Sequence, residues 1–146
     1  MTRALALDLG TRRIGVALSD SAGTVATPYE TVHRSGDRGR DHRRIAELVT
    51  DTDADVVVVG LPLSLDGGRG PAATAILDEV DVLAAAVPVE VVTWDERLST
   101  VEAQRSMRTM GVRRDKRRQI VDQLAATVIL QSWLDAGEPR RSQRSP

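Results

Sequence analysis

Alternation comes first along the chain. In residues 3–9, Leu5, Leu7 and Leu9 point one way while Ala4, Ala6 and Asp8 point the other, the period of a strand. Gly10-Thr11-Arg12-Arg13 reads as a turn, and residues 14–19 return as a second strand, so the pair predicts a hairpin. A third strand is expected within residues 24–32. Residues 34–40, rich in Gly and Arg, read as a loop, and a helix follows from about Asp41 to Thr52, with Ile45, Leu48 and Val49 on one face. Four consecutive valines, Val56 to Val59, suit a strand buried on both faces, ended by Gly60-Leu61-Pro62. Residues 64–71 form a loop, and residues 72–86 a helix with Ile76, Leu77, Val80 and Leu83 on one side. Residues 89–94 read as a fifth strand. A helix capped by Ser99 or Thr100 is expected to run to about Gly111, and a last one from about Asp115 to Asp135, stopped by Gly137 and Pro139.

The order β-β-β-α-β-α-β-α-α predicts an α/β domain. Three antiparallel strands lead into strands joined by helical crossovers, giving a five-stranded mixed sheet with helices on both faces. Residues 1–137 are expected to form one domain, and the polar, basic residues 138–146 a disordered tail.

Composition narrows the chemistry. Hydrophobic residues make up 41% of the chain, enough for a core, and with no Phe, one Tyr and two Trp that core is aliphatic. The absence of Cys excludes disulfides, thiolate catalysis and Cys-based zinc sites, and two His cannot build a His-rich metal site. No apolar run has membrane-spanning length and the N-terminus has no secretory pattern, so no membrane partner is expected and the default address is the cytoplasm. Net charge is −1, yet positive charge is concentrated. Residues 105–118 carry Arg105, Arg108, Arg113, Arg114, Lys116, Arg117 and Arg118 against the single acid Asp115, and residues 33–44 carry five Arg against two Asp. Such patches suit local phosphate binding.

Three acids stand where a charge is costly. On the last helix, Gln123, Thr127 and Gln131 form a polar stripe, and Asp122 lies in the opposite arc with Val121, Ala125, Ala126, Ile129 and Trp133. An unpaired carboxylate there needs an Arg, a donor network, a raised pKa or a cation. Asp8 ends its strand on the face of Ala4 and Ala6, whose small side chains admit a close neighbour. The last helix, with Ala125 and Ala126, fits that place and would bring Asp122 towards Asp8. Asp95-Glu96 follow the fifth strand and alternate in direction, so one of the two would join the cluster. An all-oxygen group of this kind suits Mg²⁺ or Mn²⁺, ions that serve phosphoryl chemistry. The plainer readings are an Asp in a turn and an Asp paired with Arg.

Four blocks carry a family resemblance. Residues 8–20 (Asp8-Leu9-Gly10-Thr11-Arg12-Arg13-Ile14-Gly15 and onward to Asp20), Gly60-Leu61-Pro62-Leu63-Ser64-Leu65-Asp66-Gly67, Asp95-Glu96-Arg97-Leu98-Ser99-Thr100, and Asp122-Gln123-Leu124-Ala125-Ala126 resemble, in order, the motifs of the YqgF/RuvX family. The resemblance implies an RNase H-like fold and a metal-dependent nuclease acting on structured nucleic acid, either trimming the 5′ end of precursor small-subunit ribosomal RNA or resolving Holliday junctions. It implies Asp8, Glu96 and Asp122 as catalytic, metal-holding acids, with Asp95 in reserve. Many RNase H-like nucleases carry an acid at the end of the fourth strand, where this chain has Gly60-Leu61-Pro62.

Thr11, Arg12 and Arg13, beside Asp8, are candidate contacts to the nucleic-acid backbone. Arg97 either holds a phosphate or pairs with a neighbouring acid. Arg113, Arg114, Lys116, Arg117 and Arg118 open the last helix; cations there oppose the helix dipole, which favours a phosphate-binding purpose over a solvated face. Scarce aromatics argue against base stacking and for recognition of backbone and shape. Two other functions fit part of the pattern: an actin-like nucleotide-binding module, which would need a second lobe, and a nucleic-acid-binding protein with a vestigial site. Monomer and homodimer are both open.

Overall fold

The computed structural model describes residues 2–63, 66–96 and 114–137, with the side chains of residues 114–122 left aside. Five strands form one sheet: β1 (Ala4–Leu9), β2 (Arg13–Ser19), β3 (Ala26–His33), β4 (Val56–Leu61) and β5 (Glu90–Asp95). Three helices are described, α1 (Arg38–Thr52), α2 (Pro71–Ala86) and α3 (Arg114–Asp135). The strand order is β3-β2-β1-β4-β5. β1 pairs antiparallel with β2 and parallel with β4; β2–β3 is antiparallel and β4–β5 parallel. The mixed five-stranded sheet expected from the sequence is the one observed. The helix expected over residues 99–111 and the tail at 138–146 lie outside the described residues.

Alternation decides which side each residue buries. Leu5, Leu7 and Leu9 join Ile14, Val16, Val57 and Val59 on one face, beneath Ile45, Leu48 and Val49 of α1 and Val80 and Leu83 of α2. Ala4, Ala6, Ala17, Val56 and Val58 form the other face, covered by Ala126, Ile129, Leu130 and Trp133 of α3. The second face is built from small side chains, so α3 lies close to the strands. β4 is buried along its whole length, as a strand with neighbours on both edges and helices on both faces must be.

One expectation needs correction. α1 begins at Arg38 rather than near Asp41, because Asp37 is extended and its side chain accepts from the Arg40 N–H at 3.1 Å, which makes it the N-cap. The polar stripe of α3 is bonded to β3 and the residues just before it. Gln131 accepts from the Ala26 N–H and donates to the Thr24 carbonyl, both at 2.9 Å, and Gln123 Nε2 donates to Thr31 Oγ1 at 2.8 Å. The buried arc is therefore centred on Ala126, Ile129, Leu130 and Trp133, with Ala125 half-buried.

Candidate active site

Asp8 is the penultimate residue of β1 and half-buried, on the face that α3 covers. Its cross-strand partner on β2 is Gly15. On its other side, the register Leu7↔Val59 places Gly60 of β4 next. Asp8 is thus flanked by two residues without side chains, which opens the space around its carboxylate. Asp8 also has a polar partner of its own within the fold.

Gly60 has a second purpose. A Cβ there would overlap Cδ1 of Ile129 on α3 and would stand 3.4 Å from Oε2 of Glu96. The glycine is the reason the helix and Glu96 both reach this point, the close approach that a strand glycine often marks. The sequence signal was a lone Gly after four valines, legible as a close approach but read only as the end of the strand.

Glu96 follows β5. Trp94, two residues earlier, pairs with Gly60 and donates from Nε1 to Ser132 Oγ of α3 at 2.9 Å, so the α3 face of β5 runs through Trp94 towards Glu96. Asp95 pairs with Leu61 and alternates to the opposite face. Of the two consecutive acids, Glu96 is the one on the α3 face of the sheet, the face of Asp8. Burial, and then the negative charge of Asp95, push the Glu96 carboxyl above its ordinary value of 4.5. A carboxylate disfavoured in this way is poised to take a cation or a proton.

Position 122 stands one helical turn before Ala126, on the stripe of α3 that continues through Ile129 and Trp133. Helical periodicity therefore puts position 122 in line with the residues of α3 that cover this face of the sheet. The Asp122 side chain, Arg97, Arg113 and the side chains of Arg114, Lys116, Arg117 and Arg118 lie outside the described residues. Among the described residues no group of three acidic or histidine side chains is disposed to hold a metal ion; the third acid of the expected set is Asp122.

The turn after Asp8 is held from the side of α1 and α2. Arg34 donates from its backbone N–H to the Arg12 carbonyl at 2.9 Å and from Nε to the Gly10 carbonyl at 2.8 Å. Its two terminal nitrogens grip the Glu79 carboxylate at 2.8 and 2.9 Å, and His42 Nε2 meets the same carboxylate at 2.8 Å. Burial alone would raise the Glu79 carboxyl, but the hydrogen bonds from Arg34 and His42 outweigh it and hold it below 4.5. Sequence reasoning missed this cluster, because nothing in the spacing of residues 34, 42 and 79 shows that three elements meet there. Thr11 and Arg12 are exposed on the turn, and Arg13 is half-buried at the start of β2, on the same face as Asp8.

The family profile described as RuvX: Holliday junction resolvase matches residues 2–136. A "Putative pre-16S rRNA nuclease" of Mycobacterium sp. (strain KMS) is 51% identical over 134 residues, covering 91% of this chain and 79% of that one. One of the same description from Myxococcus xanthus (strain DK1622) is 44% identical over 144 residues, covering 99% and 95%. Among solved structures, T. thermophilus RuvC in complex with a Holliday junction substrate superposes with a TM-score of 0.58 at 17% identity, covering 94% of this chain and 97% of that one. At that identity the likeness concerns the fold, and it is the RNase H-like one expected from the sequence.

Proposed function

Since this chain belongs to the RuvX family, described as Holliday junction resolvases, we propose that it is a nuclease that hydrolyses phosphodiester bonds in structured nucleic acid. The observation that carries the reading is the convergence of Asp8 and Glu96 on the α3 face, beside Gly60 and ahead of position 122. The names of the relatives favour precursor 16S ribosomal RNA as the substrate, with a branched DNA junction as the alternative. Both are cytoplasmic substrates in bacteria, and among the described residues no helix is long and apolar enough to cross a membrane.

The donor set fits a divalent cation. Its oxygens are carboxylates, the chain has no Cys, and Glu96 sits where its own charge is disfavoured. Asp8, Glu96 and Asp122 would hold Mg²⁺ or Mn²⁺, which when bound lowers the pKa of water and stabilises the leaving oxygen. The protein's part is to place the carboxylates rigidly on strand ends and a packed helix, and to turn the phosphate into line. In the reaction a water oxygen bonds to phosphorus, one P–O ester bond breaks, and the leaving oxygen takes up a proton. Arg13, on the Asp8 face, and Arg97, next to Glu96 in the chain, serve to orient the phosphate. Arg113, Arg114, Lys116, Arg117 and Arg118, together with Thr11 and Arg12, are the further candidate contacts to the backbone of the substrate. Family membership favours this chemistry over an actin-like nucleotide-binding module.

The test is cleavage of a precursor 16S ribosomal RNA fragment and of a four-way DNA junction, with Mn²⁺, with Mg²⁺ and with chelator. Cleavage of one substrate in metal only, abolished in Asp8→Asn and Asp122→Asn variants that keep the parent's circular dichroism, is expected. An Asn variant with full metal-dependent activity removes that residue from the set, and equal activity in chelator refutes the metal.

A further inference from the structure

A second feature lies at the same end of the sheet. A cleft of about 430 Å³ opens between the β1–β2 turn and the segment leading into α1, lined by Thr11, Arg12, Arg34, Gly36, Arg38 and Asp41. Only Leu9 and Gly10 separate Asp8 from this lining in the chain. The cleft lies on the α1 and α2 side of the turn, while Asp8 faces α3.

Its walls are fixed. Arg34 is held by Glu79, by the Gly10 carbonyl and, through its backbone, by the Arg12 carbonyl. The one acid in the lining, Asp41, is buried and already accepts from the Ser35 N–H at 3.0 Å and from Ser35 Oγ at 2.8 Å. Gly36 turns the segment at a φ of 90°, a conformation that suits glycine. What projects at the rim are the exposed guanidinium groups of Arg12 and Arg38, with the exposed Thr11 beside them. Arg34 presents the outer edge of a guanidinium whose orientation is set before any ligand arrives. Cations outnumber acids in and behind this cleft, and the acids are committed to the protein. Planar guanidinium donors of this kind match phosphate oxygens.

We infer that this cleft, between the β1–β2 turn and the start of α1, is a phosphate-binding subsite for the nucleic-acid backbone at a position away from the one being cleaved, with Arg12 and Arg38 as its contacts. The inference rests on the nuclease reading, and it adds residues 34–38 to the binding surface. It gives the substrate two holds on opposite sides of the turn that follows Asp8. A structured duplex, with phosphates on two strands, can engage both holds, whereas a mononucleotide can engage one.

The experiment is binding of a labelled RNA duplex and of a four-way DNA junction by fluorescence anisotropy in chelator, where no cleavage occurs, across a salt series. Each lost phosphate contact makes the slope of log affinity against log salt shallower by about 0.9 on duplex DNA. Arg38→Gln should lower the slope by about one and the Arg12→Gln/Arg38→Gln pair by about two, with the melting temperature unchanged. Arg43→Gln, an equal loss of charge at an exposed position outside the lining, should leave the slope at the parent value. A double variant with the parent slope, or an Arg43→Gln variant with the same reduction, overturns the subsite while leaving the nuclease reading intact. A parent protein that binds neither nucleic acid overturns both. Binding of inorganic phosphate or a mononucleotide that depends on Arg12 and Arg38, with duplex affinity indifferent to them, makes the cleft a small-anion site and refutes the backbone assignment.

Discussion

Replacing Gly60 with Ala adds one methyl group at the point where α3, β4 and Glu96 meet. Two effects oppose each other. The substitution removes freedom from the unfolded chain, which stabilises by about 0.4–1 kcal/mol where the native backbone tolerates it. Against this, the new Cβ overlaps Cδ1 of Ile129, a fully buried side chain, and lies 3.3 Å from its Cγ1. Overpacking a closed core costs about 1–3 kcal/mol. Ile129 has little room to turn away, since Ala126, Leu130 and Trp133 are buried beside it, so the upper part of that range applies and the net loss is about 1–2 kcal/mol. Ile129→Val removes the overlapping atom and by itself costs about 0.5–1.5 kcal/mol. Combined with Gly60→Ala it should cost little or even restore stability, a coupling of about 1 kcal/mol or more. Urea unfolding of the parent, both single variants and the double variant, at constant m-value, measures this. Additive losses would falsify the packing of Ile129 over Gly60, and with it the account of why this strand end carries no acid.

Two predictions concern pH. Cation binding requires Glu96 to be ionised, and its raised pKa means that Mn²⁺ affinity, followed by calorimetry, should start to fall on acidification at a higher pH than an ordinary carboxylate would give; Asp95→Asn, which removes one of the two causes, should move that onset to lower pH. An onset unmoved in Asp95→Asn contradicts the placement of the two acids. Glu79 is lowered in the folded protein, so its contribution is present above the ordinary 4.5 and is lost as pH falls through the folded value. Glu79→Gln should cost about 2 kcal/mol at pH 7 by breaking the charged hydrogen bonds to Arg34 and His42. Its urea midpoint should then decline less than the parent's below pH 4.5, and parallel declines would show that the network does not titrate with folding.

Regular alternation was the most legible signal. It placed Asp8 on the face of Ala4 and Ala6, and the small residues of that face identified the last helix as its cover, which is how Ala126 and Ile129 are buried. The four valines marked β4 as a strand enclosed on both faces. What escaped was everything decided by a single long-range contact. The start of α1 turned on Asp37 reaching the Arg40 N–H, whereas Asp41, the residue that looked like the start, was committed to Ser35. The stripe of Gln123, Thr127 and Gln131 has the amphipathic period of a solvent face, and period alone cannot distinguish water from β3 and the residues just before it as the partner.

The choice between Asp95 and Glu96 shows how the two kinds of information combine. Alternation states that the two acids diverge without stating which one turns inward. The register Gly60↔Trp94 fixes the phase, because Trp94 is tied to Ser132 of α3 and Glu96 lies two residues further. The missing fourth-strand acid follows from the same geometry. A carboxylate at position 60 would need the space that Ile129 and Glu96 already fill. On the proposed reading the acid comes from the end of the adjacent strand, and the glycine on β4 leaves room there for Glu96 and α3.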